Sequence, residues 1–201
     1  MSNKLVMVTG GARSGKSTFA EQLSEQWGTK ATYIATAQAF DAEMQERISM
    51  HRKRRGPGWI TREAPFDVVT VLREASAETP VILLDCLTLY VTNHLLRNIQ
   101  GEQPEMMCSK DCVEVVMKAV RDLTVAAKSV SATVIVVTNE VGMGIVPDNV
   151  LSRAFRDVAG FANQCLAEAA DEVYIVVSGI PLKLKSSANN ECLKGEVVKN
   201  G

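Results

Sequence analysis

The sequence is poor in several features that would mark other classes of protein. No apolar run approaches the length that is needed to cross a bilayer, so we expect no membrane insertion. Its 22 basic and 23 acidic residues nearly cancel to a formal net charge of −1, so no overall field draws the chain to nucleic acid or to an anionic membrane. The first residues run directly into an apolar segment, so we expect no secretory signal.

Cysteine and histidine are also too few, or too scattered, to predict a metal centre. The five cysteines are odd in number and include no CxxC pair, so we expect reduced thiols in a cytoplasmic protein. The two histidines, His51 and His94, have no acidic or cysteine partners at metal-ligand spacing. His94 lies in an apolar helical stretch without charged neighbours and is expected to be structural.

What remains is an ordinary globular composition, 46% hydrophobic and 22% charged, which fits one domain over residues 1–185. The polar segment 186–201 is predicted to be a mobile tail. Apolar, β-branched runs predict buried strands at 5–8, 31–35, 81–84, 133–137 and 173–177. Helical periodicity falls between them, at 16–27, 39–53, 66–75, 112–128 and 150–169. This alternation predicts an α/β fold: a P-loop NTPase-like, doubly wound, mostly parallel sheet with helices on both faces.

One motif predicts a phosphate site. The run Gly10, Gly11, Ala12, Arg13, Ser14, Gly15, Lys16, Ser17 satisfies G-x-x-x-x-G-K-[ST] between a predicted strand and a predicted helix. Glycines let backbone amides turn toward phosphate oxygens, and the helix N-terminus adds free N–H groups. Lys16 is expected to reach the outer phosphates, and the Ser17 hydroxyl to ligate Mg²⁺. The alternative is a glycine-rich turn that binds nothing.

A carboxylate suited to the metal follows another predicted strand. Asp85 ends the apolar run 81–84, and the carboxyl ends of parallel strands meet at the ligand crevice of such folds. The pattern favours Asp85 as the second metal ligand, although Asp is also common at helix N-termini.

His51 lies among basic residues. In a helix, Arg47, His51, Arg54 and Arg55 would share one face, where an anion would relieve their repulsion. Neighbouring guanidiniums would keep the imidazole neutral and able to attack phosphorus. The residues alone favour the plainer interpretation, a solvated basic helix end before the breaker 56–58.

Several further motifs resemble those of one family, the bifunctional adenosylcobinamide kinase and adenosylcobinamide-phosphate guanylyltransferases of cobalamin biosynthesis. They extend over residues 4–185 and include the phosphate motif and His51-Arg52. The most specific is Thr138-Asn139-Glu140-Val141-Gly142-Met143-Gly144-Ile145-Val146-Pro147. The others are Tyr33-Ile34-Ala35-Thr36-Ala37, Phe155-Arg156-Asp157-Val158-Ala159-Gly160 and Val177-Ser178-Gly179-Ile180-Pro181.

The resemblance implies that His51 is the residue that GTP guanylylates, which reverses the plainer interpretation. It implies that the GTP site also contains Arg52, Lys53, Arg54, Arg55, Glu63 and Asp85, with Ala35, Thr36 and Ala37 beside the phosphate loop. Two positions depart from many relatives: Met50 stands where a second histidine is common, and Asp85 where Glu is common.

The implied activity is phosphorylation of adenosylcobinamide by a nucleoside triphosphate, ATP or GTP, with Mg²⁺. GMP transfer from GTP through a guanylyl-histidine would then give adenosyl-GDP-cobinamide. The partners implied are a corrinoid substrate and further copies of the chain, in a trimer. The apolar loop 141–147 either meets the corrinoid or is a packed turn. Two alternatives are a P-loop small-molecule kinase without guanylyl transfer and a nucleotide-binding regulator; the missing N-K-x-D motif argues against a GTPase switch.

Overall fold

A computed structural model describes residues 3–38, 56–98 and 110–186. Its strands are β1 (Leu5–Gly10), β2 (Ala31–Ala35), β3 (Trp59–Glu63), β4 (Val81–Asp85), β5 (Thr133–Val137), β6 (Glu172–Val177) and β7 (Ile180–Lys185). Its helices are α1 (Lys16–Glu25), α2 (Val68–Glu78), α3 (Leu87–Asn98), α4 (Lys110–Ser129) and α5 (Val150–Ala169). Within these ranges, no helix is long and apolar enough to span a membrane.

The described strands form one sheet in the order β3-β2-β4-β5-β1-β6-β7. Every neighbouring pair is parallel except β6 and β7, which are antiparallel. The predicted α/β fold with a mostly parallel sheet is therefore confirmed. β5 lies between β1, which precedes the phosphate motif, and β4, which ends at Asp85.

Both faces of the central strands are covered, which explains why their sequences are apolar without alternation. Leu5 and Met7 of β1 pack into a core with α2, α3, α4 and α5, whereas Val6 and Val8 face a second core with α1. β4 and β5 divide their side chains between the two cores in the same way. The sheet consequently holds the loops after its central strands on a rigid support.

Two strands were not predicted from the sequence, and both are at the edges of the sheet. β3 is only partly buried and follows the glycine-proline breaker at 56–58. β7 is mostly exposed and carries Pro181, which is tolerated at an edge because a proline donates no hydrogen bond there. Helix boundaries also differ: the predicted helix 66–75 spans Val68–Glu78. The predicted helix 39–53 lies outside the described residues.

Candidate nucleotide-binding site

The phosphate motif forms the connection between β1 and α1, and two of its glycines have no room for a side chain. A Cβ on Gly10 would lie 2.5 Å from the backbone oxygen of Val176. Gly15 has a φ of +96°, and its Cβ would lie 3.2 Å from the Cα of Gly179. Backbone torsion and close packing both require glycine at position 15. The motif therefore has the tight turn that its sequence predicts.

The interior of this loop offers donors for an anion. Gly15 is the N-cap of α1 and supplies no side chain to cap it, so the first N–H groups of the helix stay available to a ligand. The Lys16 ammonium lies over the loop and donates a hydrogen bond of 3.0 Å to the backbone oxygen of Gly11. The Ser14 hydroxyl is buried against Gly10 and has no hydrogen-bond partner among the described residues. These groups suit a bound phosphate.

The turn between β6 and β7 supports the phosphate loop from one side. Ser178 and Gly179, its two central residues, have φ values of 51° and 82°, as in a two-residue turn of type I′. The Gly179 N–H donates to the backbone oxygen of Ser14 over 2.8 Å. The hairpin and the phosphate loop are thus joined by a direct hydrogen bond.

Asp85 lies on the same edge of the sheet, at the end of β4. It pairs in register with Ala35 on one side and with Val137 on the other. The Tyr33 hydroxyl donates to its Oδ2 over 3.0 Å. The predicted segment 35–37 is tied to this position, because Thr36 N–H donates to the backbone oxygen of Asp85. The edge therefore brings Asp85 and residues 35–37 together.

The charges of Lys16 and Asp85 both act on the Cys86 thiol. Burial, and to a lesser extent the negative charge of Asp85, raise the pKa of this thiol to about 12. The positive charge of Lys16 opposes the rise in that pKa. A cation from the phosphate loop and the carboxylate at the end of β4 thus influence the same buried group.

Other predicted site residues are less central or lie outside the described ranges. Glu63 ends the edge strand β3, in register with Ala35, and its side chain is exposed. His51, Arg52, Lys53, Arg54 and Arg55 lie outside the described residues. His94 packs its ring 4.4 Å from that of Tyr90, and burial lowers the pKa of its imidazole, as suits the structural role expected for it.

A network of polar groups follows β5, the strand between the one that carries the phosphate loop and the one that ends at Asp85, and the sequence alone did not reveal its role. After β5, the Glu140 N–H donates to the backbone oxygen of Gly10 over 3.1 Å. Asn139 donates through its side chain to Thr88 over 3.3 Å, near the end of β4. Asn163 of α5 accepts from the Thr138 hydroxyl over 2.7 Å. The signal available was the position of these residues, directly after a buried strand in the most specific motif.

The segment after Glu140 is apolar and exposed. Met143, Ile145 and Val146 are 81%, 97% and 61% exposed. A packed turn, one of the two interpretations of residues 141–147, is therefore wrong for these three side chains. Large apolar side chains this exposed are typical of a surface that another molecule covers.

A metal ion at this site would depend on the bound nucleotide. The described residues contain no group of three or more His, Cys, Asp or Glu side chains that could hold an ion by itself. Mg²⁺ commonly uses one or two carboxylates together with substrate phosphates. The Ser17 hydroxyl in the first turn of α1 and the Asp85 carboxylate fit that pattern.

The phosphate loop, the N-terminus of α1 that follows it and the acid two strands away define the class: an α/β P-loop nucleotide-binding protein. One solved structure, titled "Structural study of Project ID PH0250 from Pyrococcus horikoshii OT3", aligns with this chain with a TM-score of 0.52 and 8% sequence identity. The alignment covers 94% of this chain and 89% of the other. That similarity supports the fold alone.

The family can be stated more narrowly. The family model "Cobinamide kinase / cobinamide phosphate guanyltransferase" matches residues 6–184, and the chain belongs to this family. It is 46% identical over 182 residues to the "Bifunctional adenosylcobalamin biosynthesis protein CobU" of Salmonella typhimurium (strain LT2), covering 90% of this chain and 99% of the relative. It is 42% identical to the protein of the same name in Escherichia coli (strain K12), with the same coverage. The "Bifunctional adenosylcobalamin biosynthesis protein CobP" of Pseudomonas aeruginosa is 39% identical, covering 89% of this chain and 96% of the relative.

Proposed function

We propose that this chain catalyses both reactions named for its family: phosphorylation of adenosylcobinamide and transfer of GMP from GTP to the resulting phosphate. The observation that carries the proposal is family membership over residues 6–184, which includes the complete phosphate loop. Relatives called bifunctional align over nearly their whole length, so neither activity requires a domain that this chain lacks.

The first reaction is phosphoryl transfer, in which positioning and charge stabilisation provide most of the catalysis. Lys16 and the N-terminus of α1 would hold the outer phosphates of ATP or GTP. Ser17 and Asp85 would hold Mg²⁺, which supplies positive charge to the phosphate oxygens. The opposite effects of the Lys16 and Asp85 charges on the pKa of the Cys86 thiol support this division of roles.

The second reaction would proceed through His51. A neutral imidazole nitrogen attacks the α-phosphorus of GTP, a nitrogen–phosphorus bond forms, and pyrophosphate leaves. A phosphate oxygen of the acceptor then attacks the same phosphorus, the nitrogen–phosphorus bond breaks, and adenosyl-GDP-cobinamide is released. Arg52, Lys53, Arg54 and Arg55 would offset the charge on the departing pyrophosphate. Glu63 and residues 35–37 are proposed to complete the GTP site.

The acceptor is proposed to dock on the exposed apolar segment formed by Met143, Ile145 and Val146. A corrinoid is large and has broad apolar faces, so it would cover side chains that otherwise contact water. The segment begins directly after Glu140, whose N–H is bonded to Gly10. An acceptor on it would therefore lie beside the phosphate loop.

We further propose that the chain forms a homo-oligomer, a trimer by family resemblance. Support comes from the edge strand β7, where Ile180, Leu182 and Leu184 are each more than half exposed. Exposed apolar side chains on an edge strand favour association when they are left uncovered.

The experiment supplies the purified protein with adenosylcobinamide and two labelled nucleotides in separate reactions. Label from γ-labelled ATP or GTP should appear on the corrinoid, and label from α-labelled GTP should appear only once that phosphate is present. Lys16→Ala should reduce phosphoryl transfer at least 100-fold, because a charge-assisted phosphate contact is lost. Lys118→Ala, at a lysine 70% exposed on α4, is the matched control and should match wild type. Phosphorylation of the corrinoid without any GMP transfer would mean that the protein is a kinase and not a guanylyltransferase.

A further inference from the structure

Glu140 occupies a position that the proposed chemistry leaves without a role. It follows β5, the strand between β1 and β4. Glu140 therefore follows the strand that lies between the strand of the phosphate loop and the strand of Asp85. Its side chain is only partly buried, so solvent or a substrate can reach it.

The contacts of Glu140 fix one carboxylate oxygen and leave the other unused. Its Oε1 accepts a hydrogen bond of 2.6 Å from the Thr9 hydroxyl and one of 3.2 Å from the Asn163 side-chain nitrogen. Its backbone N–H donates to the oxygen of Gly10 over 3.1 Å. Across the part of the chain that the structure describes, Oε2 has no hydrogen-bond or ion-pair partner.

Asn163 makes this arrangement rigid. It is 8% exposed on α5, accepts from the Thr138 hydroxyl and donates to the backbone oxygen of Asn139 over 3.1 Å. Since both of its side-chain ends are engaged, it cannot turn away without breaking buried hydrogen bonds. The Glu140 carboxylate is thus held by Thr9 of β1 and by Asn163 of α5, which is itself fixed.

The other carboxylates on this edge are less suited to take a proton from an acceptor. Asp85 accepts from Tyr33 and is proposed to face Mg²⁺, and a carboxylate engaged with a cation is a weak base. Glu63 lies on the outermost strand, four strands from β1. Glu140, by contrast, donates its backbone N–H to Gly10 of the phosphate loop. It also directly precedes the segment that we assign to the acceptor.

From these observations we infer that Glu140 is the general base of the phosphoryl-transfer step, an assignment that rests on the proposed function. Oε2 takes the proton of the acceptor hydroxyl as its oxygen forms a bond to the γ-phosphorus. The bond between that phosphorus and the bridging oxygen breaks, and the nucleoside diphosphate leaves with the electron pair. The protonated Glu140 then returns its proton to solvent.

The second reaction of the proposed function needs no such base, which makes the assignment testable. Its acceptor is a phosphate monoester whose second pKa is about 6, so the attacking oxygen is already an anion near neutral pH. A hydroxyl, in contrast, carries a proton that must be removed. Loss of the base should therefore impair the first reaction and spare the second.

The test is Glu140→Gln, measured in both reactions. Glutamine keeps an oxygen that can accept from Thr9 and Asn163, but its amide group cannot take a proton. The kcat of phosphoryl transfer should fall about 100-fold or more, the range of general-base catalysis. Nucleotide affinity, and GMP transfer to acceptor already phosphorylated by the wild-type enzyme, should stay within about twofold. Glu168→Gln, on the outer part of α5, is the matched control and should leave both reactions unchanged.

Thr9→Val separates basicity from positioning. It removes one hydrogen bond to Oε1 but keeps the carboxylate, so phosphoryl transfer should fall much less than in Glu140→Gln. The assignment is overturned if Glu140→Gln retains phosphoryl transfer within about threefold, if both reactions fall together, or if Thr9→Val is equally impaired. Absence of both reactions in the wild type would instead contradict the proposed function.

Discussion

At the end of β4, the Asp85 carboxylate accepts a hydrogen bond from Tyr33 and lies in register with Ala35. The family resemblance implies a longer glutamate at this position, so we infer that the position tolerates a change in reach but not a loss of charge. The proposed metal site consists of this single carboxylate, the Ser17 hydroxyl and phosphate oxygens. Its affinity for Mg²⁺ should therefore depend strongly on the one charge.

Asp85→Asn removes that charge and keeps an oxygen for Tyr33. We expect the Mg²⁺ concentration needed for half-maximal phosphoryl transfer to rise at least tenfold, measured by titrating Mg²⁺ at fixed nucleotide. Tyr33→Phe, which removes the hydrogen bond and keeps the charge, should stay within about threefold of wild type. Unchanged Mg²⁺ dependence in Asp85→Asn would exclude it as a metal ligand.

Glu172 is the described carboxylate whose ionisation should affect stability most. Burial acts to raise its pKa, but hydrogen bonds from Lys4, Lys183 and Tyr174 outweigh burial and lower it from the ordinary 4.5 to about 2. A lowered folded-state pKa stabilises the fold above the unfolded pKa of 4.5. That stabilisation is lost as the pH falls toward 2.

Glu172→Gln should therefore lower the free energy of unfolding by about 2 kcal/mol at pH 7. The difference from wild type should shrink steadily between pH 4.5 and pH 2. Urea unfolding at pH 7 and pH 3 measures both values. Glu114→Gln, at a side chain that is 70% exposed, is the control and should cost about 0.5 kcal/mol or less. A deficit that stays constant with pH would mean that packing, not charge, accounts for the effect.

At the scale of elements, the phosphate loop depends on the hairpin formed by β6 and β7. Gly179 donates to Ser14, and its Cα lies 3.2 Å from the place of a Gly15 side chain. Both glycines have positive φ values, but a Cβ on Gly179 would meet nothing within 4 Å. The two positions thus share a conformational requirement and differ in the space available.

That difference gives a matched pair of substitutions. Gly179→Ala should lower the free energy of unfolding by about 1–2 kcal/mol, because alanine is disfavoured in the left-handed conformation. Its nucleotide affinity should stay within about threefold of wild type. Gly15→Ala adds a close contact between the phosphate loop and Gly179, which would displace the loop, so nucleotide affinity should fall tenfold or more. Calorimetric titration with GTP measures both. Equal affinities in the two variants would contradict the role given to the loop geometry.

The interior strands were predictable from the sequence and the edge strands were not. β2 and β5 have the predicted boundaries, and α5 begins and ends where its periodicity predicts. All three have the apolar pattern that burial imposes. β3 and β7 bury little, so nothing in their composition requires a strand; the Ser178-Gly179 turn before β7 was the one local signal.

The candidate site also contains residues that the sequence predicts and residues that it does not. The phosphate loop and Asp85 follow from local sequence, because their chemistry depends on a strand and the residues next to it. The arrangement of Thr9, Glu140 and Asn163 depends on three elements that are distant in sequence. No spacing rule joins them, and the structure alone brings them together.

For the whole molecule, the family match ends at residue 184 and the last described strand ends at Lys185. Residues 1–185 are therefore proposed to be the catalytic domain, and residues 186–201 a tail outside it. Within that domain, we propose two chemistries. Phosphoryl transfer would need Lys16 and Glu140, and guanylyl transfer would need His51.

The measurement that tests this account most directly is mass-spectrometric mapping of the GMP adduct after incubation with GTP. The account predicts one adduct, on His51, that is labile in acid, stable in base and discharged by the phosphorylated corrinoid. In His51→Ala the adduct and GMP transfer should be absent while phosphoryl transfer is retained. Lys118→Ala, on the exposed face of α4, should still form the adduct. Adduct on His94 or on a lysine, or adduct persisting in His51→Ala, would contradict the account.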